Sequence, residues 1–229
     1  MPVHSLTFQA HSRARSESRT ISVRTAVIAG WTGRDPVARD KHIAELEAIG
    51  IARPAATPIY YRVSASRLTT AQEIEVPGTT SSGEAEFILI RDAAGLWVGA
   101  GSDHTDRKVE TYNVTISKQV CDKPIASELW AFDEVRDHWD KLILRSWIEE
   151  SGAQLLYQEG AVAGMLPPDT IMTGFANDRL AEGTLMFCGT LAAKGGIRPS
   201  NRFTYELSDP VCNRRITSTY NVVTLPNVG

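Results

Sequence analysis

The chain reads as a β-rich α+β protein, and three observations predict it. From Ile59 onward, short β-branched and aromatic runs are broken repeatedly by Gly, Pro, Asn and Asp. One early stretch carries the start and stop signals of a helix. No internal repeat, low-complexity tract or linker divides the 229 residues, of which 42% are hydrophobic, enough for a substantial core. The expectation is a single domain over 1–229. An N-terminal hairpin and helix would occupy about 1–55 and a β-core about 56–229.

Taken in order, Leu6–Gln9 is a short strand, and Arg19–Val23 with Ala26–Ala29 a longer one, so the first thirty residues read as a hairpin. A helix then starts at Asp35-Pro36, with aspartate as N-cap and proline at the first helical position, and stops at Gly50. Pro54 and Pro58 set an extended approach to a strand at Ile59–Val63. Further strands are expected at Leu142–Trp147, Leu155–Gln158, Thr170–Thr173, Thr184–Cys188, Phe203–Leu207 and Ile216–Val223, with a turn or two of helix within Ala126–Lys141. Gly195-Gly196 reads as a turn.

The most informative stretch is Gly83–Asp103. Glu84 and Glu86 alternate along a strand-like run, so they share a face with Ile88 and Ile90. Asp92-Ala93-Ala94-Gly95 reads as a short hairpin loop with glycine at its exit. If Arg91 pairs with Leu96, Asp103 falls directly opposite Glu84. Three carboxylates on one largely apolar face would repel and pay a large desolvation cost unless a cation neutralised them. An all-oxygen site of this kind suits magnesium, manganese or calcium rather than zinc. The competing reading places Glu84 and Glu86 on the solvated face of an edge strand.

A formal charge of −3 and a pI near 6.0 argue against a nucleic-acid or anionic-membrane partner. No run approaches the roughly 18 apolar residues of a membrane span, and the N-terminus has no apolar leader. Cys121, Cys188 and Cys212 are far apart, odd in number and without C-x-x-C spacing. That pattern fits a soluble protein of the reducing cytoplasm and not a zinc site. No G-x-S-x-G elbow, phosphate-binding loop or dinucleotide fingerprint is present.

Several segments together resemble the fumarylacetoacetate hydrolase superfamily. Gly83-Glu84-Ala85-Glu86-Phe87 matches its E-x-E strand, and Ser102-Asp103-His104-Thr105-Asp106-Arg107-Lys108 its N-D-x-x-x-R-D segment. Ser117-Lys118-Gln119-Val120 matches its lysine motif. Glu128-Leu129-Trp130 with Asp133-Glu134-Val135 is similar to the G-P-W…DE that follows. Leu166–Gly174 is similar to L-x-P-G-D-x-I-x-T-G. The likeness spans roughly residues 28–224 and is greatest to a bacterial branch catalogued as a domain of unknown function (DUF2848-like).

The resemblance implies rolled mixed β-sheets with the N-terminal helix as part of a lid. It implies Mg2+ or Mn2+ (Ca2+ also fits an oxygen site) held by Glu84, Glu86 and Asp103. Arg107, Lys118 and Glu110 would contact a small-molecule carboxylate substrate. His42-x-x-Glu45, three apart on one helical face, would form a water-activating dyad, with Lys118 steadying developing charge. The implied activity is metal-dependent hydrolysis of a C–C bond in an acylpyruvate-like or 1,3-dicarbonyl 2-oxo acid through a metal-stabilised enolate. Decarboxylation, hydration or dehydration, and isomerisation are alternatives on the same site. A non-catalytic metal-containing binding protein is the alternative of another class.

The resemblance also implies a homodimer, for which Trp130, Trp139 and Trp147 are interface or core candidates. Departures from the motifs fall around the substrate. Gly30-Trp31-Thr32-Gly33-Arg34 lacks the usual Asn-Tyr, and Lys108 follows Arg107 where aspartate is usual. Gly174-Phe175 stands where glycine-threonine is common. Glu110 replaces a glutamine, and an acidic side chain there disfavours a second substrate carboxylate. His104, beside Asp103, is expected to face away from the metal in a supporting role. His138 is expected in a packed or solvated turn.

Overall fold

The structure is a computed structural model that describes residues 3–48 and 53–228. In chain order it opens with β1 (His4–His11), β2 (Ser16–Val23), β3 (Thr25–Gly30), helix α1 (Pro36–Ala48) and β4 (Ile59–Val63). Next come β5 (Leu68–Thr69), β6 (Glu73–Pro77), β7 (Ser81–Ser82), β8 (Ala85–Asp92), β9 (Gly95–Ser102) and β10 (Thr105–Asp106). Two short helices follow, α2 (Arg107–Glu110) and α3 (Val114–Val120), then β11 (Lys123–Pro124), β12 (Glu128–Ala131), β13 (Ile143–Glu150) and β14 (Ala153–Ala161). Helix α4 (Pro168–Ala176), β15 (Thr184–Phe187), β16 (Arg202–Asp209) and β17 (Arg214–Leu225) complete the chain.

The strands build an eight-stranded mixed sheet, β2-β1-β12-β9-β8-β15-β3-β4, and a five-stranded sheet, β14-β13-β16-β17-β6. Hydrophobic alternation explains how they pack. Phe87, Leu89 and Val98 on one face of the larger sheet pack in a core with Tyr205, Leu207 and Ile216 of the smaller. The other face, with Ile88, Ile90 and Phe187, packs against Leu6, Phe8 and Leu68 in a second core. Strand β8 is therefore buried on both faces, and its run Ala85–Ile90 is correspondingly apolar apart from Glu86.

The predicted strands at Ile59–Val63 and over residues 142–223 are present with small changes of boundary, with one exception. Residues 170–173 form part of α4, not a strand. Pro167-Pro168 opens the helix and Asn177, left-handed at φ 63, caps it, so terminal signals override the β-branched Thr-Ile-Met-Thr run. The first thirty residues hold three strands, not one hairpin. β1 and β2 pair, but β3 crosses to lie between β15 and β4. In α1, Asp35 caps as expected, its Oδ1 accepting from Val37 N at 2.8 Å. Gly50, the predicted stop, lies outside the described residues. Trp130 and Trp139 are core residues, which removes them as interface candidates, while Trp147 is half-buried.

The turn between β16 and β17 hangs on Asp209. Its Oδ1 accepts from Val211 N (3.1 Å), Cys212 N (3.0 Å) and His138 Nε2 (3.0 Å), and its Oδ2 from Arg214 Nε (3.1 Å). Burial pushes this carboxyl up, yet the donors, led by Cys212 N, His138 and Arg214, outweigh it and hold the group below its ordinary range. A pKa lower in the folded state than in the unfolded one stabilises the fold above the unfolded value and is lost as pH falls through the folded one. Asp209→Asn should therefore cost about 1–3 kcal/mol at neutral pH. Thermal melts should show the gap from wild type closing once pH falls below about 4. A gap that is constant down to pH 3 contradicts this role.

Candidate metal and substrate site

The β8–β9 hairpin fixes the site. Arg91 pairs with Leu96 and Ala85 with Ser102, so the register carries Asp103 opposite Glu84, where Asp103 N donates to Glu84 O at 2.9 Å. One ligand oxygen from each of Glu84, Glu86 and Asp103 falls in a group spanning no more than 4.8 Å. β8 lies between β9 and β15, so the edge-strand alternative does not hold. Glu86 and Asp103 are buried and Glu84 is half-buried.

Three cationic side chains surround the carboxylates. Lys118, near the end of α3, donates from Nζ to Asp103 Oδ2. Lys123, fully buried on β11, sits with Nζ 3.0 Å from Asp103 Oδ1 and donates to His104 O. Arg107, at the start of α2, donates from Nε to Ser82 Oγ (2.7 Å) and pairs through Nη2 with Glu84 (3.2 Å) and through Nη1 with Glu110 (3.0 Å). Asp106 caps α2 by accepting from Lys108 N and Val109 N, and that local turn aims Arg107 inward.

Electrostatics follow from these contacts. Burial pushes the Asp103 carboxyl up, but Lys118 and Lys123 outweigh it and hold it well below the usual range. Glu86 is pushed well above its ordinary value, first by burial and then by Asp103 and Glu84, against the opposing pull of Lys118 and Gly189 N. Burial lowers Lys118, but Asp103, Glu84 and Glu110 raise it further, so it stays charged. Lys123 is lowered, chiefly by burial.

These residues fit a hard divalent cation. The donor set is all oxygen, and Asp103 Oδ1 is buried without a hydrogen bond despite its nearness to Lys123. His104 does not belong to the set. Its two ring nitrogens lie 2.8 Å from Tyr220 Oη and 2.9 Å from Ser81 Oγ, and burial pushes its pKa down to about 3, so it is neutral. A second group, His138, Asp209 and Cys212, has ligand atoms equally close. There Arg214 already supplies the cation, 3.1 Å from Asp209. His138 is packed on that turn.

The other expected residues divide. Lys118, Arg107 and Glu110 lie together around the carboxylates. His42 and Glu45 lie on α1; the side chain of His42 is outside what the structure describes. Glu45 is exposed, 3.9 Å from Lys41 Nζ, and is not in the group of close carboxylates. Gly174-Phe175 packs on Tyr60, whose ring centroid is 5.5 Å from that of Phe175. A different pair, Gly189-Thr190, reaches the cluster. Gly189 N donates to Glu86 Oε2 at 2.6 Å, and the Thr190 hydroxyl donates to Ala85 O and accepts from Gln158.

Sequence reasoning also missed Lys123, Ser82 and Tyr61. Lys123 belongs to no periodic pattern. Tyr61 lies with its ring 5.8 Å from Lys118 Nζ, and its hydroxyl is raised by burial against the lowering effect of Lys118 and Trp31. The sequence carries no signal for Tyr61 beyond its place in a strand, since only the topology sets β4 beside the lysine helix.

The architecture is the fumarylacetoacetate hydrolase fold. A fumarylpyruvate hydrolase from Pseudomonas aeruginosa, in complex with Mn2+ and pyruvate, superposes with a TM-score of 0.63 at 15% identity, covering 98% of this chain and 98% of that one. A 2-keto-3-deoxy-D-arabinonate dehydratase, complexed with magnesium and 2,5-dioxopentanoate, gives a TM-score of 0.63 at 15% identity, covering 92% of this chain and 77% of that one. No curated protein sequence matches. The family model described as "Protein of unknown function (DUF2848)" matches residues 29–220, and the chain belongs to that family.

Gly189 is the residue whose backbone the site most constrains. Its φ of +106° is one that L side chains rarely adopt, and an added Cβ would overlap Thr32 Oγ1. Gly189→Ala should lower stability by about 1–3 kcal/mol in urea denaturation. Adding Thr32→Ala should recover only part of that loss, since the φ strain remains. Full recovery would show that the contact alone matters.

Proposed function

We propose that this protein is a divalent-metal-dependent enzyme acting on a small 2-oxo acid, with C–C bond hydrolysis of an acylpyruvate-like or 1,3-dicarbonyl substrate as the leading reaction. The observation that carries the proposal is the convergence of Glu84, Glu86 and Asp103 beside Lys118 and Arg107. A purely structural ion would need neither cation. The metal-and-pyruvate complex of the fumarylpyruvate hydrolase supports the same reading.

Glu84, Glu86 and Asp103 would hold Mg2+ or Mn2+. That ion, when bound, supplies a Lewis acid for the adjacent keto and carboxylate oxygens of a 2-oxo acid. Lys118 remains protonated and stands where it can steady negative charge developing on the substrate. Arg107 Nη2, ion-paired with Glu84 at 3.2 Å but without a hydrogen bond, can donate to a ligand oxygen. His42, oriented by Glu45, would take a proton from water as it attacks the distal carbonyl. Dehydration of a 3-deoxy-2-oxo acid is the second reading, favoured by the likeness to the dehydratase fold.

A panel of acylpyruvates, oxaloacetate and 3-deoxy sugar acids, each with magnesium and with EDTA, separates these readings. Turnover should require magnesium. Glu86→Ala should lose both magnesium binding by calorimetry and turnover, whereas His42→Ala should keep the metal and lose about 10²–10⁴ in rate. Full-affinity magnesium binding by Glu86→Ala sinks the metal assignment. Unchanged turnover in His42→Ala sinks only the water-activating role.

A further inference from the structure

We infer that Glu110 sets the charge of the ligand, so that the site takes a 2-oxo acid with one carboxylate and rejects one with two. The inference rests on the metal-site reading above and concerns the groups that surround it. Among the described residues, one connected cluster holds the carboxylates Glu84, Glu86, Asp103 and Glu110 and the cations Arg107, Lys118 and Lys123. With a divalent cation bound its carboxylate ligands are ionised, and four negative charges against three positive and the cation's two leave +1. One monoanion then makes the cluster neutral. A dianion leaves an uncompensated charge among groups that water scarcely reaches, which is costly.

Glu110 makes the difference between these outcomes. The other three carboxylates form the metal group, and Glu110 does not belong to it. Instead Glu110 takes one arm of the Arg107 fork at 3.0 Å, while Ser82 takes Nε and Glu84 lies 3.2 Å from Nη2. The guanidinium charge is thus already shared between two carboxylates, Glu84 and Glu110, which weakens its pull on a second ligand carboxylate. Exposure places the acidic groups on the outer side of the cluster. The Glu110 side chain is 22% exposed and Glu84 19%, against 8% for Lys118 and none for Asp103 and Lys123. A second ligand carboxylate on that outer side would face the like charge of Glu110.

Calorimetric titration of the full chain in saturating magnesium, with 2-oxovalerate and with 2-oxoglutarate, tests this. The two acids share a five-carbon chain and differ by one carboxylate. Wild type should bind 2-oxovalerate at least about tenfold more tightly. Glu110→Gln should narrow that preference by about fivefold or more, while Glu110→Asp, which keeps the charge, should retain it. Equal affinity in wild type, or a preference for 2-oxoglutarate, overturns the inference, as does an unchanged ratio in Glu110→Gln. If wild type binds magnesium but neither acid, the 2-oxo acid reading itself falls and takes this inference with it. Should Glu110→Gln fail to fold, the ratios for wild type and Glu110→Asp still decide.

Discussion

Asp103 is a fully buried carboxylate flanked by two lysine ammonium groups, and the rest of the site is arranged around that contact. Burying one unpaired carboxylate costs several kcal/mol, and two more carboxylates close by add repulsion. Lys118 and Lys123 offset this at Asp103, and Arg107 does so at Glu84. Each cation comes from a different short element, on α3, β11 and α2, and all three elements follow Asp103 within twenty residues. The chain from β9 to β11 thus folds back on its own carboxylate. Glu86 alone lacks a cationic partner among the described contacts, and its seat is the backbone amide of Gly189 from the end of β15. That is the position where a metal ion changes the balance most.

Much of this arrangement was legible in the sequence because a hairpin fixes register. Asp92-Ala93-Ala94-Gly95 forces Arg91 onto Leu96, and counting back then places Asp103 on Glu84 without any tertiary information. Lys118, Arg107 and Glu110 followed from motif order. Lys123 did not, since its role arises from β11 pairing with β5, a contact between residues 55 apart. The same limit hid Gly189-Thr190. The sequence reading placed the glycine-threonine element at Gly174-Phe175, and only the pairing of β15 with β8 shows that Gly189-Thr190 reaches Glu86. Residues 170–173 misled for a local reason: their β-branched composition competes with proline and asparagine signals that act only at helix ends.

The departures from the family pattern take on a consistent meaning. Trp31 stands at positive φ (59°) and lowers the pKa of the Tyr61 hydroxyl against the raising effect of burial, while the Tyr61 ring lies 5.8 Å from Lys118 Nζ. Glu110 in place of glutamine adds a negative charge beside Arg107. The carboxylates themselves are unaltered. The three carboxylates converge, and the departures fall among the groups around them.

The central claim is that Glu84, Glu86 and Asp103 together bind one hard divalent cation. Crystals soaked in manganese, with anomalous diffraction collected at the manganese edge, test it most directly. One peak should lie within about 2.5 Å of an oxygen from each of the three carboxylates. A peak at His138, Asp209 and Cys212 instead, or no peak between β8 and β9, would contradict the account.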